Sequence, residues 1–260
     1  MIRCLWTSAS GMAAQKLNMD VIANNLANVN TVGFKKSRAD FVDLLYQNLR
    51  SPGAATSSGG EVPTGIQVGM GTKPVSVQKI LSQGDYVQTK NNLDFAIEGE
   101  GFFKILSNGE ELYMRAGAFK MDSEGYVVTS EGERLQPEFS IPPETVNFTV
   151  DPGGNMVALG PDGTELASAQ LSLHSFANPA GLLSVGGNRF RPSEASGDPV
   201  EGNPGVDGMG TISQGYLEMS NVDVVEEMVN MIVGQRAYEV ASKSIKAADE
   251  MLQMANNIKR

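Results

Sequence analysis

SNVDVVEEMVNMIVGQRAYEVASKSIKAADEMLQMANNIKR, Ser220 to Arg260, contains no proline and one glycine, and its apolar residues return every seven positions. Val224, Met231, Tyr238, Ile245 and Leu252 form one register, and Gly234, Ala241, Ala248 and Ala255 follow the last four by three residues. A large residue followed by a tiny one at this period predicts a helical seam built for close approach of a second helix. Ser220 or Asn221 can cap the start, Asp223, Glu226 and Glu227 suit the positive end of the helix dipole, and Lys259 and Arg260 suit its negative end. A helix of about 37 residues would reach ~55 Å.

The other terminus offers the partner. From Cys4 to Val29 there is one glycine and no proline, and Leu5, Met12, Met19 and Leu26 recur in sevens. The interleaved register is Ser8, Gln15, Ile22 and Val29, half polar. This predicts a helix of ~40 Å. Each helix has a seam to bury, so the simplest arrangement packs them together as one coiled-coil domain, discontinuous in sequence. The competing reading is a pair of ordinary core helices.

Ala23 to Lys36, ANNLANVNTVGFKK, places Asn24, Asn25, Asn28 and Asn30 where the first helix should end. Asparagine is a poor interior helix residue because its amide competes for backbone hydrogen bonds. On a helix packed among copies of itself, such amides can bond neighbours and fix register. Asn24, Asn25, Asn28 and Gly33 therefore read as an inter-subunit joint, with Asn30 or Gly33 able to supply a left-handed residue at the helix end. A frayed polar helix end is the alternative.

Between the helices the pattern changes. Ser51 to Gly60, SPGAATSSGG, reads as flexible or extended linker. Beyond it run short β-type segments (KPVSVQKIL, DFAIEG, GFFKIL, YVVTS, VNFTV, NMVAL, AQLSLHSF) punctuated by turns such as Ser107-Asn108-Gly109 and Asp151-Pro152-Gly153-Gly154. The fold class is α+β: residues 1–32 and 219–260 form the helical axial domain, 33–72 an extended linker, and 73–218 a β-rich middle domain.

Composition narrows the chemistry. A formal charge of −10 over 260 residues opposes binding to nucleic acid or anionic lipid. Cys4 is the only cysteine and His174 the only histidine, which removes an intrachain disulfide, a thiolate metal site and His-rich metal centres. His174, in QLSLHSF, reads as a strand residue. Gly69-Met70-Gly71-Thr72-Lys73 is followed by Pro74 and a strand-like run, where a phosphate loop would open a helix. Gly99-Glu100-Gly101 lacks the third glycine of a dinucleotide loop. Carboxylates abound, yet none sits at a spacing that acid–base chemistry requires. Asn147-Phe148-Thr149 matches a glycosylation acceptor and, without a secretion signal, reads as chance. No run is long enough for a signal peptide or a membrane span, which predicts a cytosolic chain or one exported by a route that reads no cleavable signal.

ANNLANVNTVGFKK resembles the N-terminal signature of bacterial flagellar rod and hook proteins, and Ser220 to Gln253 resembles their shared C-terminal segment. LDFAIEGEGFF (Leu93 to Phe103), YMRAGAF (Tyr113 to Phe119) and DSEGYVVTSEGERL (Asp122 to Leu135) are similar to the middle-domain pattern of that family. Met114 and Ala116 stand where the family more often has threonine and a polar residue. The length, the FVDLLYQNLRSPGA segment and the single modest β body most resemble members that build the distal rod. Hook members usually carry a further large middle domain, and proximal rod members are typically shorter or lack the full middle pattern.

The resemblance implies a structural subunit without catalytic residues or cofactors. It would stack helically with copies of itself into a hollow driveshaft across the periplasm, its terminal helices lining an export channel. The self-assembly seam would be Leu5, Met12, Met19, Ile22, Leu26, Val224, Met231, Tyr238, Ile245 and Leu252. Implied partners are the proximal rod proteins, the hook protein, the rod cap, the P-ring and L-ring proteins and the flagellar type III export apparatus. Nucleic acid and membrane insertion are not among them. Rival readings are a hook or proximal rod subunit, a coiled-coil adaptor, and an enzyme acting on the cell wall.

Overall fold

Small residues on one helix and larger ones on the other let two backbones meet. The computed structural model describes residues 2–53 and 63–258, so residues 54–60 of the expected linker and the closing Lys259 and Arg260 lie outside the described residues. Helix α1 spans Ile2–Ala27 and α2 spans Val224–Ile258, 26 and 35 residues. They pack antiparallel: Glu227 in the first turn of α2 meets Asn25 near the end of α1, and a Cβ added at Gly234 would lie 3.4 Å from Met19. The fold is α+β. Asp223 caps α2, its Oδ1 accepting from the backbone N–H of Val225 at 2.8 Å and Glu226 at 3.1 Å, a cap contributing about 1 kcal/mol. Neither Ser220 nor Asn221 is the cap, because the Asn221 amide accepts from Lys36 N at 2.7 Å and donates to Ile80 O at 2.9 Å.

The chain divides into two units. The helical unit comprises residues 1–27, 37–78 and 223–260. Besides the helices it holds strand Ser37–Asp43 paired with Thr72–Lys79, and Tyr46–Arg50 paired with Ile66–Gly69. Much of the segment expected as linker is thus extended and also paired. The turn joining the second hairpin to Thr72 rests on α1, where Thr72 N donates to Ser10 Oγ at 3.3 Å. Gly71 has φ +115°, and a Cβ there would lie 2.2 Å from Ser10 Oγ, so only glycine lets the turn approach this closely.

The β unit comprises residues 28–36 and 79–222. A seven-stranded sheet runs in the order Leu183–Gly186, Arg189–Arg191, Glu110–Met114, Phe103–Ser107, Arg134–Gln136, Val127–Val128, Lys120–Met121. A three-stranded sheet joins Asn147–Val150, Asn155–Leu159 and Glu165–Gln170. Two-stranded pairs link Phe95–Glu98 to Thr211–Gln214, Tyr86–Gln88 to Tyr216–Glu218, and Leu173–Ser175 to Val200–Gly202. The Asn108-Gly109 turn read from sequence has φ of 51° and 84° and sets Ser107 opposite Glu110, as a two-residue hairpin of type I′ requires. Phe95, Ile97, Phe103, Phe119, Met156 and Leu171 anchor the main core, and Phe102, Tyr113, Phe176, Leu182 and Phe190 a second cluster. Each of these large side chains contributes roughly 1.5–3 kcal/mol by leaving water. His174 is a buried strand residue whose ring is tilted 57° against that of Tyr113, 5.3 Å between centres.

Candidate assembly surface

In the helical unit, Ala14, Ile22 and Asn25 of α1 and Glu227, Gly234 and Ala248 of α2 are buried. Leu5, Met12, Met19, Leu26, Met231 and Ile245 are half-buried, and Val224, Tyr238 and Leu252 are 37–40% exposed. On α2 Gly234 and Ala248 are thus the buried small residues, Ala241 is half-buried and Ala255 exposed, with the large seam residues beside them. The other side of α2 is also apolar. Val225, Val229, Ile232, Val233 and Val240 are 53–71% exposed. At 100° per residue they centre about 130° round the helix from Gly234, Ala241 and Ala248. The exposed apolar residues are concentrated in the first half of α2, before charged Lys243, Lys246 and Glu250, and a contiguous exposed apolar stripe marks a surface for a partner. Counting in sevens isolates a single register, which is why this second stripe escapes the heptad reading.

The asparagines part ways. Asn25 is buried, and its amide pairs with the backbone of Ser37: Oδ1 accepts from Ser37 N and Nδ2 donates to Ser37 O, both at 2.9 Å. Nδ2 also donates to Glu227 Oε2 at 3.3 Å. The amide mimics a strand partner, holding the start of Ser37–Asp43 against α1 and α2. Asn28 is half-buried and accepts from Thr31 Oγ1 at 3.2 Å, while Asn24 and Asn30 are exposed. Gly33 takes the left-handed conformation, φ +67°, six residues beyond the end of α1, and its N–H donates to Glu218 O at 2.8 Å. Asn25 and Gly33 thus each make hydrogen bonds within the chain.

The β unit contains a feature that the sequence reading missed. Lys35, Arg115 and Glu218 are 1%, 5% and 1% exposed. Glu218 Oε1 receives Lys35 Nζ at 2.5 Å and Gly84 N at 3.0 Å, and its Oε2 receives Arg115 Nε at 2.7 Å. Arg115 further donates to the carbonyls of Gly101 at 2.6 Å, Ile97 at 3.1 Å and Gly99 at 2.5 Å, and Lys35 to Ser82 O at 2.8 Å. Burial alone would raise the Glu218 pKa, but Arg115 and Lys35 outweigh it and hold the carboxyl below the usual range. Burial pulls the Lys35 ammonium down, with Glu218 opposing. The residues lie 80 and 103 positions apart along the chain (35 to 115, 115 to 218), so no local motif announces them.

Charge is also segregated. The helical unit has ten basic and ten acidic residues, the β unit ten and twenty, so the β unit carries the whole formal −10. Among the described residues, no group of three or more His, Cys, Asp or Glu side chains is placed to hold a metal ion, and no helix is long and apolar enough to cross a membrane.

Comparison with known proteins adds a second line. Residues 5–35 match the family model for flagella basal body rod protein, 96–158 that for the flagellar hook protein FlgE/F/G D1 domain, and 213–258 that for the flagellar basal body rod FlgEFG protein C-terminal region. The flagellar basal-body rod protein FlgG of Borreliella burgdorferi is 47% identical over 264 residues, covering both chains completely. That of Buchnera aphidicola subsp. Schizaphis graminum is 45% identical over 260 residues, covering 99% of this chain and all of the relative. The flagellar hook protein FlgE of Borreliella burgdorferi is 41% identical over only 139 residues, 52% of this chain and 31% of the hook protein.

Proposed function

The chain belongs to the flagellar basal-body rod protein FlgG family, a structural family and not an enzyme family, and on that premise we propose that it polymerises helically with copies of itself into the distal rod. The observation that carries this reading is the second apolar face of α2, exposed on a helix whose first face is already covered by α1. Burying a half-exposed valine or isoleucine stripe against neighbouring copies stabilises each subunit contact by a few times ~1 kcal/mol. A one-directional contact of this kind propagates as a helix unless it closes into a ring.

In this reading residues 1–32 and 219–260 are the axial coiled-coil domain around an export channel, 33–72 the linking segment, and 73–218 the middle domain. Leu5, Met12, Met19, Ile22, Leu26, Val224, Met231, Tyr238, Ile245 and Leu252 form its seam, and Asn24, Asn25, Asn28 and Gly33 sit at the joint between subunits. The proposed partners are proximal rod proteins, the hook protein, the rod cap, the P-ring and L-ring proteins and the type III export apparatus, which delivers the chain without a cleavable signal to a rod spanning the periplasm.

Negative-stain electron microscopy of the concentrated full chain tests the proposal, beside a chain lacking residues 1–30 and 221–260 and the pair Val229→Glu and Ile232→Glu. Straight hollow tubes should form from the full chain alone. The charged variant should remain a monomer whose melting is unchanged, since both positions are exposed. Curved tubes would favour a hook subunit. Tubes from the charged variant as abundant as from the parent would overturn the role given to α2.

A further inference from the structure

A cavity of about 260 Å³ in the β unit is lined by Lys35 and Arg115 together with Leu81, Phe102, Phe176 and Ser175. It is smaller than the roughly 300–1,000 Å³ of cofactor and drug-sized sites, a volume suited to one side chain or a small acid. Two buried cations share the single buried carboxylate of Glu218, leaving one positive charge in excess. Glu100 also lines the cavity, but it is exposed and pairs with neither cation. Among the described residues Lys35 makes two hydrogen bonds with its three N–H donors, and Arg115 four with its five. An excess buried charge with donors to spare is costly unless an anion completes it.

We propose that this cavity is a receptor for a carboxylate on a short apolar stem, the carboxylate taking the remaining N–H donors of Lys35 and Arg115 and the stem lying against Phe102, Phe176 and Leu81. The carboxylate has two possible sources. One is a free small acid. The other is an aspartate or glutamate of a second copy, abundant on a β unit with twenty acidic residues; this source rests on the polymer reading above, whereas the site itself does not.

Titration of benzoate into the full chain, followed by calorimetry and by the NMR signal of the Arg115 Nε–H, tests the site. Saturable binding is expected with a Kd on the order of 1 mM for so small an acid. Lys35→Met should weaken it about tenfold, the loss of one charged hydrogen bond. Ser175→Leu, which fills the cavity and touches neither cation, should abolish it even if Lys35→Met fails to fold. No saturation by about 10 mM, or equal affinity in Ser175→Leu, would overturn the proposal. With binding established, fewer tubes in benzoate than in equal sodium chloride identify the second copy as the source, and unchanged tubes identify a free acid. Failure to form tubes in either salt would count against the polymer reading alone and leave the binding result standing.

Discussion

Glu218→Gln asks how much one buried carboxylate holds together. Its two oxygens receive Lys35 at 2.5 Å, Arg115 at 2.7 Å and the Gly84 N–H at 3.0 Å, and all three charged groups are at least nine-tenths buried. Each hydrogen bond to a charged group contributes roughly 1.5–3 kcal/mol, and breaking a buried ion pair by removing one partner typically costs about 3–5 kcal/mol. Glutamine keeps one acceptor oxygen and so retains one of the two cation contacts, which places the expected loss near ~3 kcal/mol. Urea unfolding of the dilute full chain, followed by near-ultraviolet circular dichroism, to which the buried Tyr113 contributes, measures it. The double variant Lys35→Met/Glu218→Gln removes one cation together with the carboxylate, which restores the parent's single excess positive charge where Glu218→Gln alone leaves two. It should lose less than the sum of the single variants by at least about 1 kcal/mol. A single-variant loss under about 1 kcal/mol, or simple additivity, would refute the view that charge balance holds this part of the β unit.

Two further perturbations probe other levels. Gly33→Ala should cost more than about 2 kcal/mol, because φ is +67° and the new Cβ would lie 2.5 Å from the backbone nitrogen of Ala116; an unchanged melting temperature would refute this. Burial pulls the His174 pKa below its ordinary 6.5, opposed by Glu201 and Glu111 and assisted by Lys104. The unfolded chain therefore takes up a proton below about pH 6.5 that the fold resists, so His174 contributes stability that is complete above that pH and lost as pH falls. Parallel stability curves for the parent and His174→Gln between neutral pH and about pH 5 would refute this sign.

What the sequence disclosed followed from periodicity. Two terminal helices, the small residues at Gly234 and Ala248, the Asn-Gly hairpin and the strand nature of His174 are all local patterns, set by side-chain spacing or by the φ that a turn demands. The second face of α2 was equally present in the letters, as Val225, Val229, Ile232 and Val240. A sevenfold register attends to one stripe and passes over the other. Asn25 could not be assigned locally: its partner is a backbone twelve residues on, brought back by the turn through Gly33. The Lys35–Arg115–Glu218 cluster depends on three distant segments meeting, which only the folded chain discloses. The helix cap moved to Asp223 for a related reason, since Asn221 is held by Lys36, Ile80 and Ser82.

The unequal lengths of the two helices have a mechanical consequence. Measured from the Gly234–Met19 contact, α2 runs on for 24 residues and α1 for 17, and the Gly234–Gln15 contact shortens the latter to 13. The longer helix thus overshoots the shorter by about 10–16 Å at 1.5 Å per residue. Leu252 and Met254 lie on that overshoot by either measure, both exposed. In the proposed polymer, an overshoot of this length would lap over the next copy, as staggered bricks overlap across a course. Load would then pass between courses as shear along interleaved side chains, leaving no flat plane across the shaft along which it could snap.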